Sequence, residues 1–411
     1  MTSTAILLVG GPSRGTRFRP LSMDIPKPLF PVAGHCMIWH HLRALSKLPS
    51  VVDVLLIGFY EEAVFRDFIR AASAEFTAMT IRYLREYQAL GTAGGLYLFR
   101  DAILKSSPKH IFSMIKLHQE RKAVGTVLGT KVSPESAASF GCIVSDPITH
   151  EILHYVEKPE SYISSMINCG VYVFDSSIFA EIKKAMDKKE ETKNPLDDNV
   201  DDKLRLEQDI LAPLAEGKRL FVYETKDFWR QIKSASSAVP ANALYLQRSL
   251  QSPSNDCLLT KPKEGGPEIV EPVYIHPSAT VDPSAKIGPN VSIGQDVKVG
   301  AGVRIKDAII LDGTEIKAIS YIDIMLTRKH DSCILHSILS ECCKIGAWSR
   351  IEGTPTLASQ HDTTVIKQGT KVQSITILAK DVVVGDEIRC QNVLVLPHKE
   401  IRRDVSCEVI M

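Results

Sequence analysis

The chain has 411 residues, 44% of them hydrophobic and 24% charged, with a formal net charge of +1. That length supports two domains with sizeable cores, while a near-neutral balance spread along the chain offers no field for gathering nucleic acid or an acidic membrane surface. A short apolar start without a basic flank, and no apolar run near the ~18 residues of a membrane span, lead us to expect neither a secretory leader nor a transmembrane helix; nine scattered cysteines suit reduced thiols in a cytoplasmic protein better than a disulfide framework.

In chain order, residues 5–9 read as a strand, Met37–Ser46 as a helix, 54–57 as a strand, 61–74 as a helix and 81–83 as a strand. Short β-branched runs joined by helices specify a Rossmann-like α/β domain whose mostly parallel sheet is covered on both faces and binds ligand where its strands end. Residues 251–271, rich in Pro, Ser, Gly and Lys, read as a linker between a domain at 1–250 and another at 272–411.

In the second domain an aliphatic residue recurs every six positions: Ile275, Val281, Ile287, Ile293, Val299, Ile305 and Leu311. This is the hexapeptide pattern of a left-handed β-helix, each six-residue side burying one aliphatic and turning at a small residue such as Gly288, Gly294 or Gly300. The phase breaks at Lys317, then resumes as Leu339, Ile345, Ile351 and again as Leu378, Val384, Cys390, Leu396. Residues 318–332 and 353–374 are therefore expected to leave the coil as loops.

The chemistry sits near the N-terminus. Gly10-Gly11 and Gly15-Thr16-Arg17 follow the first strand, and Pro26-Lys27-Pro28 comes soon after. Bare glycines let backbone N–H groups approach an anion, and Arg17 and Lys27 bring permanent charge to it. A Walker loop would need Gly-Lys-Ser/Thr, which is absent.

Gly10-Gly11, Gly15-Thr16-Arg17, Arg19-Pro20-Leu21 and Pro26-Lys27-Pro28, with the hexapeptide tail, resemble the signature of the sugar-1-phosphate nucleotidyltransferases. Glu86 with Leu90-Gly91-Thr92-Ala93-Gly94 is similar to that family's base-recognition loop, Val156-Glu157-Lys158-Pro159 to its sugar-phosphate segment, and Ile167-Asn168-Cys169-Gly170-Val171-Tyr172 to its sugar-binding strand. Extra residues within 12–14 and the string Ile57-Gly58-Phe59-Tyr60 resemble the non-catalytic alpha subunits of GDP-mannose pyrophosphorylase. The resemblance implies a GDP-mannose-binding head, a hetero-oligomer with a catalytic beta subunit, and a role in feedback inhibition. A carboxylate at Glu86 suits guanine, whose N1–H and amine both donate. Gly91 and Gly94 would let backbone lie against the base, Lys158 would meet the sugar phosphate, and Asn168 would bond sugar hydroxyls.

Two departures follow. Where active members carry Asp-Ile-Gly, this chain reads Gln231-Ile232-Lys233, which can hold an intact pyrophosphate without metal. The other expected aspartate belongs to a strand and loop after Phe112, where about a dozen residues are missing, including half of a buried strand. No Mg²⁺ is expected unless the chain is instead an active mannose-1-phosphate guanylyltransferase. A hexapeptide acyltransferase using His276, His336 or His398 is the third reading, disfavoured by the nucleotide-binding head. The acidic run 187–202 reads as a solvated loop.

Overall fold

A computed structural model describes residues 3–11, 15–104, 113–191, 203–251, 259–317, 332–355, 364–367 and 370–411. The chain packs as two units, one made of Met1–Arg14 and His41–Trp229, the other of Gly15–His40 and Arg230–Met411.

In the first unit, β1 (Ser3–Gly10), β2 (Val51–Gly58) and β3 (Thr80–Arg85) form a parallel sheet with β2 in the middle. Leu7 lies opposite Leu56, and Leu56 opposite Tyr83. Val54, Leu55, Leu56 and Ile57 are all buried, as a strand covered on both faces requires, so β2 reads as a continuous apolar run. The expected helices form as α1 (Met37–Ser46), whose residues from His41 on belong to this unit, and α2 (Glu62–Glu75). Phe65 and Ala72, two turns apart on α2, face the sheet, where Phe65 stacks on Tyr83 at 5.1 Å. A shorter helix, α3 (Gly91–Leu98), follows β3.

A second sheet in this unit holds β4 (Gly125–Lys131), β5 (Gly141–Ser145), β6 (Ile152–Glu157), β7 (Met166–Phe174) and β8 (Leu220–Glu224), in the order β8-β4-β7-β5-β6. β8 runs parallel to β4 and the other pairs are antiparallel. Val127, Ile143, Ile152 and Val222 pack with Ile182 of α4 (Ile178–Glu191) and with Leu206 and Ile210 of a π-helical turn (Leu206–Leu211).

The second unit contains a three-sided parallel β-helix. Its first rung is Glu268–Ile269, and three inner columns run the length of the coil. One is Ile287, Ile305, Ile334, Ile351 and Cys390; another is Val281, Val299, Ile316, Ile345, Val384 and Ile401. The third corrects the expected register. Ile310, not Leu311, stacks on Ile293, and Val395, not Leu396, stacks on Leu378. The coil turns at Asp307 with a positive φ of 49°, so the side from Ile305 to Ile310 is one residue short. Neighbouring corners at Asn290, Asp296 and Gly302 also have positive φ (60°, 52° and 70°). The turns thus fall two residues after Gly288, Gly294 and Gly300, at residue types that tolerate the left-handed region.

Leu311 joins an outer cluster with Ile309, Ile338 and Ile377. These are covered by Ala238 and Val239 of α5 (Ala238–Gln251) and by Phe18 and Phe30. Cys333–Leu339 pairs directly with Arg304–Ile310, so the column continues across the insertion, of which residues 318–331 lie outside the described residues. At the later insertion Leu378 stacks on Leu339, and the strands Thr364–Lys367 and Thr370–Gln373 form a separate antiparallel hairpin; residues 356–363 and 368–369 lie outside the described residues.

On one coil face Glu352 accepts from Arg350 (3.0 and 2.6 Å) and from Arg389 (3.1 and 3.0 Å). Burial pushes its carboxyl up, but the two guanidinium groups outweigh burial and hold it below its ordinary 4.5. A depressed folded-state pKa means stability that is present above pH ~4.5 and lost as pH falls through the folded value. Glu352→Gln should therefore flatten the stability loss below that pH, by about 1 kcal/mol because both arginines are half-exposed. Urea midpoints of both proteins between pH 3 and 6 check this; parallel curves would contradict it.

Candidate functional site

The expected site residues divide between the units. Gly10, Gly11, Glu86, Gly91, Thr92, Gly94, Glu157, Lys158 and Asn168 belong to the first, and Gly15, Thr16, Arg17, Lys27, Gln231 and Lys233 to the second. Residues 12–14, 105–112 and 192–202, which bear on the extra loop residues, the gap after Phe112 and the acidic run, lie outside the described residues.

In the first unit, β1 ends at Gly10, whose φ of 132° and closeness to Tyr60 (3.1 Å from where a Cβ would stand) exclude a side chain. Gly11 is exposed, and nothing lies within 4 Å of a Cβ built there. Glu86 follows β3, its N–H donating to the Gly58 carbonyl (2.8 Å). Its carboxyl rests on α3 where Gly95 is bare: a Cβ there would stand 1.9 Å from Oε1. Burial pushes the Glu86 carboxyl up. Gly95 was not among the expected site residues, although it is the glycine that seats Glu86.

At Gly91 (φ 78°) a Cβ would meet the Leu204 carbonyl at 2.4 Å, and at Gly94 it would meet Leu90 Cβ at 2.7 Å. Packing on the protein's own Leu90 and Leu204 accounts for glycine at both places. Thr92 lies between them on the first turn of α3, half-buried.

Further along, Lys158 leaves β6 with φ 50°, its N–H donating to Phe140 O (3.2 Å) and its ammonium 3.2 Å from Glu157. Tyr155 donates to Glu157 Oε2 (3.0 Å), and the Asn168 amide donates to both Tyr155 (3.0 Å) and Tyr172 (2.9 Å). Tyr155 is not among the expected site residues; the pairing of β5 with β6 and β7 brings it to Asn168, and Tyr172 closes the string expected as the sugar-binding strand.

In the second unit, Gly15 (φ 76°) opens the short turn Thr16–Phe18, with Ser22 Oγ donating to its carbonyl (2.8 Å) and Lys27 Cβ 3.4 Å from its own Cβ position. Thr16 and Arg17 are exposed. Burial, and then the charge of Arg17, lowers the Lys27 ammonium pKa, and Phe18 lies 5.9 Å from that ammonium. The turn thus gathers two cations, one exposed and one partly desolvated, which suits a phosphate anion. Gln231 and Lys233 are both exposed, and the Lys233 N–H donates to Ser237 Oγ (3.1 Å) just before α5. A neutral amide oxygen two residues from an ammonium does not fit Mg²⁺, which selects carboxylates and water. Among the described residues no helix is long and apolar enough to cross a membrane.

A nucleotidyl transferase family model matches residues 4–248, and a model described as the GMPPB C-terminal domain matches residues 269–411. The chain is 51% identical to a Schizosaccharomyces pombe protein named "Probable mannose-1-phosphate guanyltransferase", across 100% of both chains. It is 42% identical to the mannose-1-phosphate guanylyltransferase regulatory subunit alpha-B of Danio rerio and 41% identical to the regulatory subunit alpha of Homo sapiens, each across 99% of both chains. The first alignment spans 431 positions against the 411 residues of this chain, so the relative has stretches with no counterpart here.

Proposed function

This chain belongs to the nucleotidyl transferase family, among the mannose-1-phosphate guanylyltransferases, and we propose that it serves GDP-mannose formation as a regulatory, non-catalytic subunit. In this reading it binds GDP-mannose, assembles with a catalytic beta subunit and transmits feedback inhibition to it. The observation that carries the reading is Gln231 and Lys233 standing where the family resemblance expects Asp and Gly, while Arg17, Lys27, Glu86, Glu157 and Lys158 persist. Regulatory-subunit names on relatives alignable from end to end support it. Nine cysteines scattered along the chain suit a reducing, cytoplasmic location better than a disulfide framework.

The test is reconstitution with the catalytic subunit and titration of GDP-mannose. The complex should lose activity at GDP-mannose concentrations that leave the catalytic subunit alone active. Equal inhibition of both preparations, or two separate species in sedimentation of the co-expressed pair, would refute the regulatory role. The name of the Schizosaccharomyces pombe relative favours a second reading, an active guanylyltransferase; Mg²⁺-dependent turnover by the purified chain would establish it.

Glu86 yields a further expectation. In Gly95→Ala the new methyl would displace the carboxylate by a side-chain rotation, because the atom it meets is the tip of a flexible chain. Guanine-nucleotide affinity should fall about tenfold, the worth of one charge-assisted hydrogen bond, with the melting temperature nearly unchanged. Calorimetric titration with GDP reads this, and an unaltered Kd would remove Glu86 from the site.

A further inference from the structure

The second unit contains a cleft of about 200 Å³ that none of the residues expected to bind nucleotide lines. It lies between the hairpin of Pro31–Val32 with His35–Cys36 and the side of the coil built by Val273–Ile275, Val291–Ile293 and the end of Arg304–Ile310. Ligand pockets usually enclose ~300–1,000 Å³. This cleft is too small for a nucleotide sugar and suits one long side chain.

Its walls differ in character. Ile309 and Leu311, buried members of the outer aliphatic cluster, supply an apolar wall. Tyr274 supplies a half-buried ring, which the hairpin fixes by lying on it: at Gly34 (φ 81°) a Cβ would overlap the ring. Asp312 stands exposed at the rim. Its Oδ1 accepts from the Gln295 N–H (2.7 Å), and bare Gly294 makes room for that oxygen, since a Cβ there would collide with it. The carboxylate is therefore held in place by backbone, and among the described residues no basic side chain pairs with it. His276 is already engaged through Nδ1 with Ser278 (2.9 and 3.2 Å).

An apolar wall, a fixed aromatic ring and an uncompensated carboxylate at the rim match the successive parts of an arginine side chain. The aliphatic stem would lie along Ile309 and Leu311, and the planar guanidinium would meet the Tyr274 ring and bond the Asp312 oxygens. A lysine could pair with Asp312, but its ammonium lacks the planar fork that stacks on a ring and meets a carboxylate with two bonds. We propose that this cleft is a socket for an arginine side chain of the catalytic subunit. Arginines seated in pockets are frequent among the residues that dominate an interface. This rests on the reading of the chain as one subunit of a hetero-oligomer.

Association of the full chain with the catalytic subunit is measured by sedimentation at low and high salt for wild type, Asp312→Asn, Asp312→Lys and Tyr274→Phe. Asparagine keeps an oxygen for the Gln295 N–H, so the melting temperature should not change. We expect affinity to fall about five- to tenfold in Asp312→Asn and further in Asp312→Lys, with a weaker dependence on salt in both. Tyr274→Phe, which keeps the ring, should stay within about twofold of wild type. Affinity unchanged in both Asp312 variants overturns the inference and leaves the hetero-oligomer reading intact. So does a loss with unaltered salt dependence, which marks a merely structural Asp312. Self-association of the chain that Asp312→Asn abolishes, with hetero-association untouched, gives the cleft to a second copy and overturns the inference as well. A wild type that does not associate with the catalytic subunit overturns both readings.

Discussion

Supplied with GTP, mannose 1-phosphate and Mg²⁺, the purified chain is expected to form GDP-mannose no faster than a protein-free blank. The reaction places growing negative charge on the departing pyrophosphate, and active members of the family are expected to neutralise it with a carboxylate-held divalent ion. Here the position is Gln231, an exposed amide, with exposed Lys233 two residues on. Removing one such stabilising group lowers turnover on the order of 10²–10³, and the second expected aspartate has no counterpart in the sequence, so the losses compound. Gln231→Asp alone should not recover activity, because it restores one of two carboxylates and leaves Lys233 beside it. The control is a melting curve, since GDP-mannose at a hundred times Kd should add about 2.7 kcal/mol to the folded state. Product above the blank from a sample that shows this shift would replace the regulatory reading with the catalytic one.

What was legible in the sequence follows from which physics is local. The six-residue step is visible because every side of the coil buries its own aliphatic, whatever the rest of the chain does. The slip to Ile310 is not visible: Ile309, Ile310 and Leu311 are all aliphatic, and only the turn at Asp307 decides which faces inward. Leu394, Val395 and Leu396 pose the same ambiguity. The cover over Ile309, Ile338 and Ile377 comes from Phe18, Phe30 and α5, and no spacing rule links segments so far apart in the chain. At the site, Glu157, Lys158 and Asn168 stand in short strings with recognisable neighbours. Tyr155 looks like an ordinary strand residue until the strands bring it to Asn168, which also holds Tyr172 at the end of its own string. Gly91 and Gly94 carry a second requirement that the family resemblance does not express: a Cβ at either would meet Leu204 or Leu90 of the protein itself.

The largest loss of stability is expected from Asn242→Leu. Asn242 on α5 is fully buried, and both its amide oxygen and its amide nitrogen bond within the second unit. Oδ1 accepts from the Ala33 N–H (2.7 Å) and from Ser292 Oγ (2.8 Å), and Nδ2 donates to the Asn290 carbonyl (3.0 Å). One side chain therefore ties the hairpin of Pro31–Val32 and His35–Cys36 to α5 and to a corner of the coil. Leucine matches its size but offers nothing to these groups, and Ala33 and Ser292 are themselves buried. A buried polar group left without a partner costs about 1–3 kcal/mol. Orphaning the Ala33 N–H and the Asn290 carbonyl, with partial relief for the rotatable Ser292 hydroxyl, should therefore cost about 3–5 kcal/mol, a large share of the 5–15 kcal/mol typical of a folded domain. Hydrogen exchange of the coil amides, which follows the second unit separately from the first, should show this as faster opening across the inner columns. Ser292→Ala in the same background should restore part of the loss, because removing both partners of a buried bond is cheaper than removing one. Coil protection unchanged in Asn242→Leu would mean that the hairpin and α5 are held by the apolar cluster around Phe18, Phe30 and Ile309 alone.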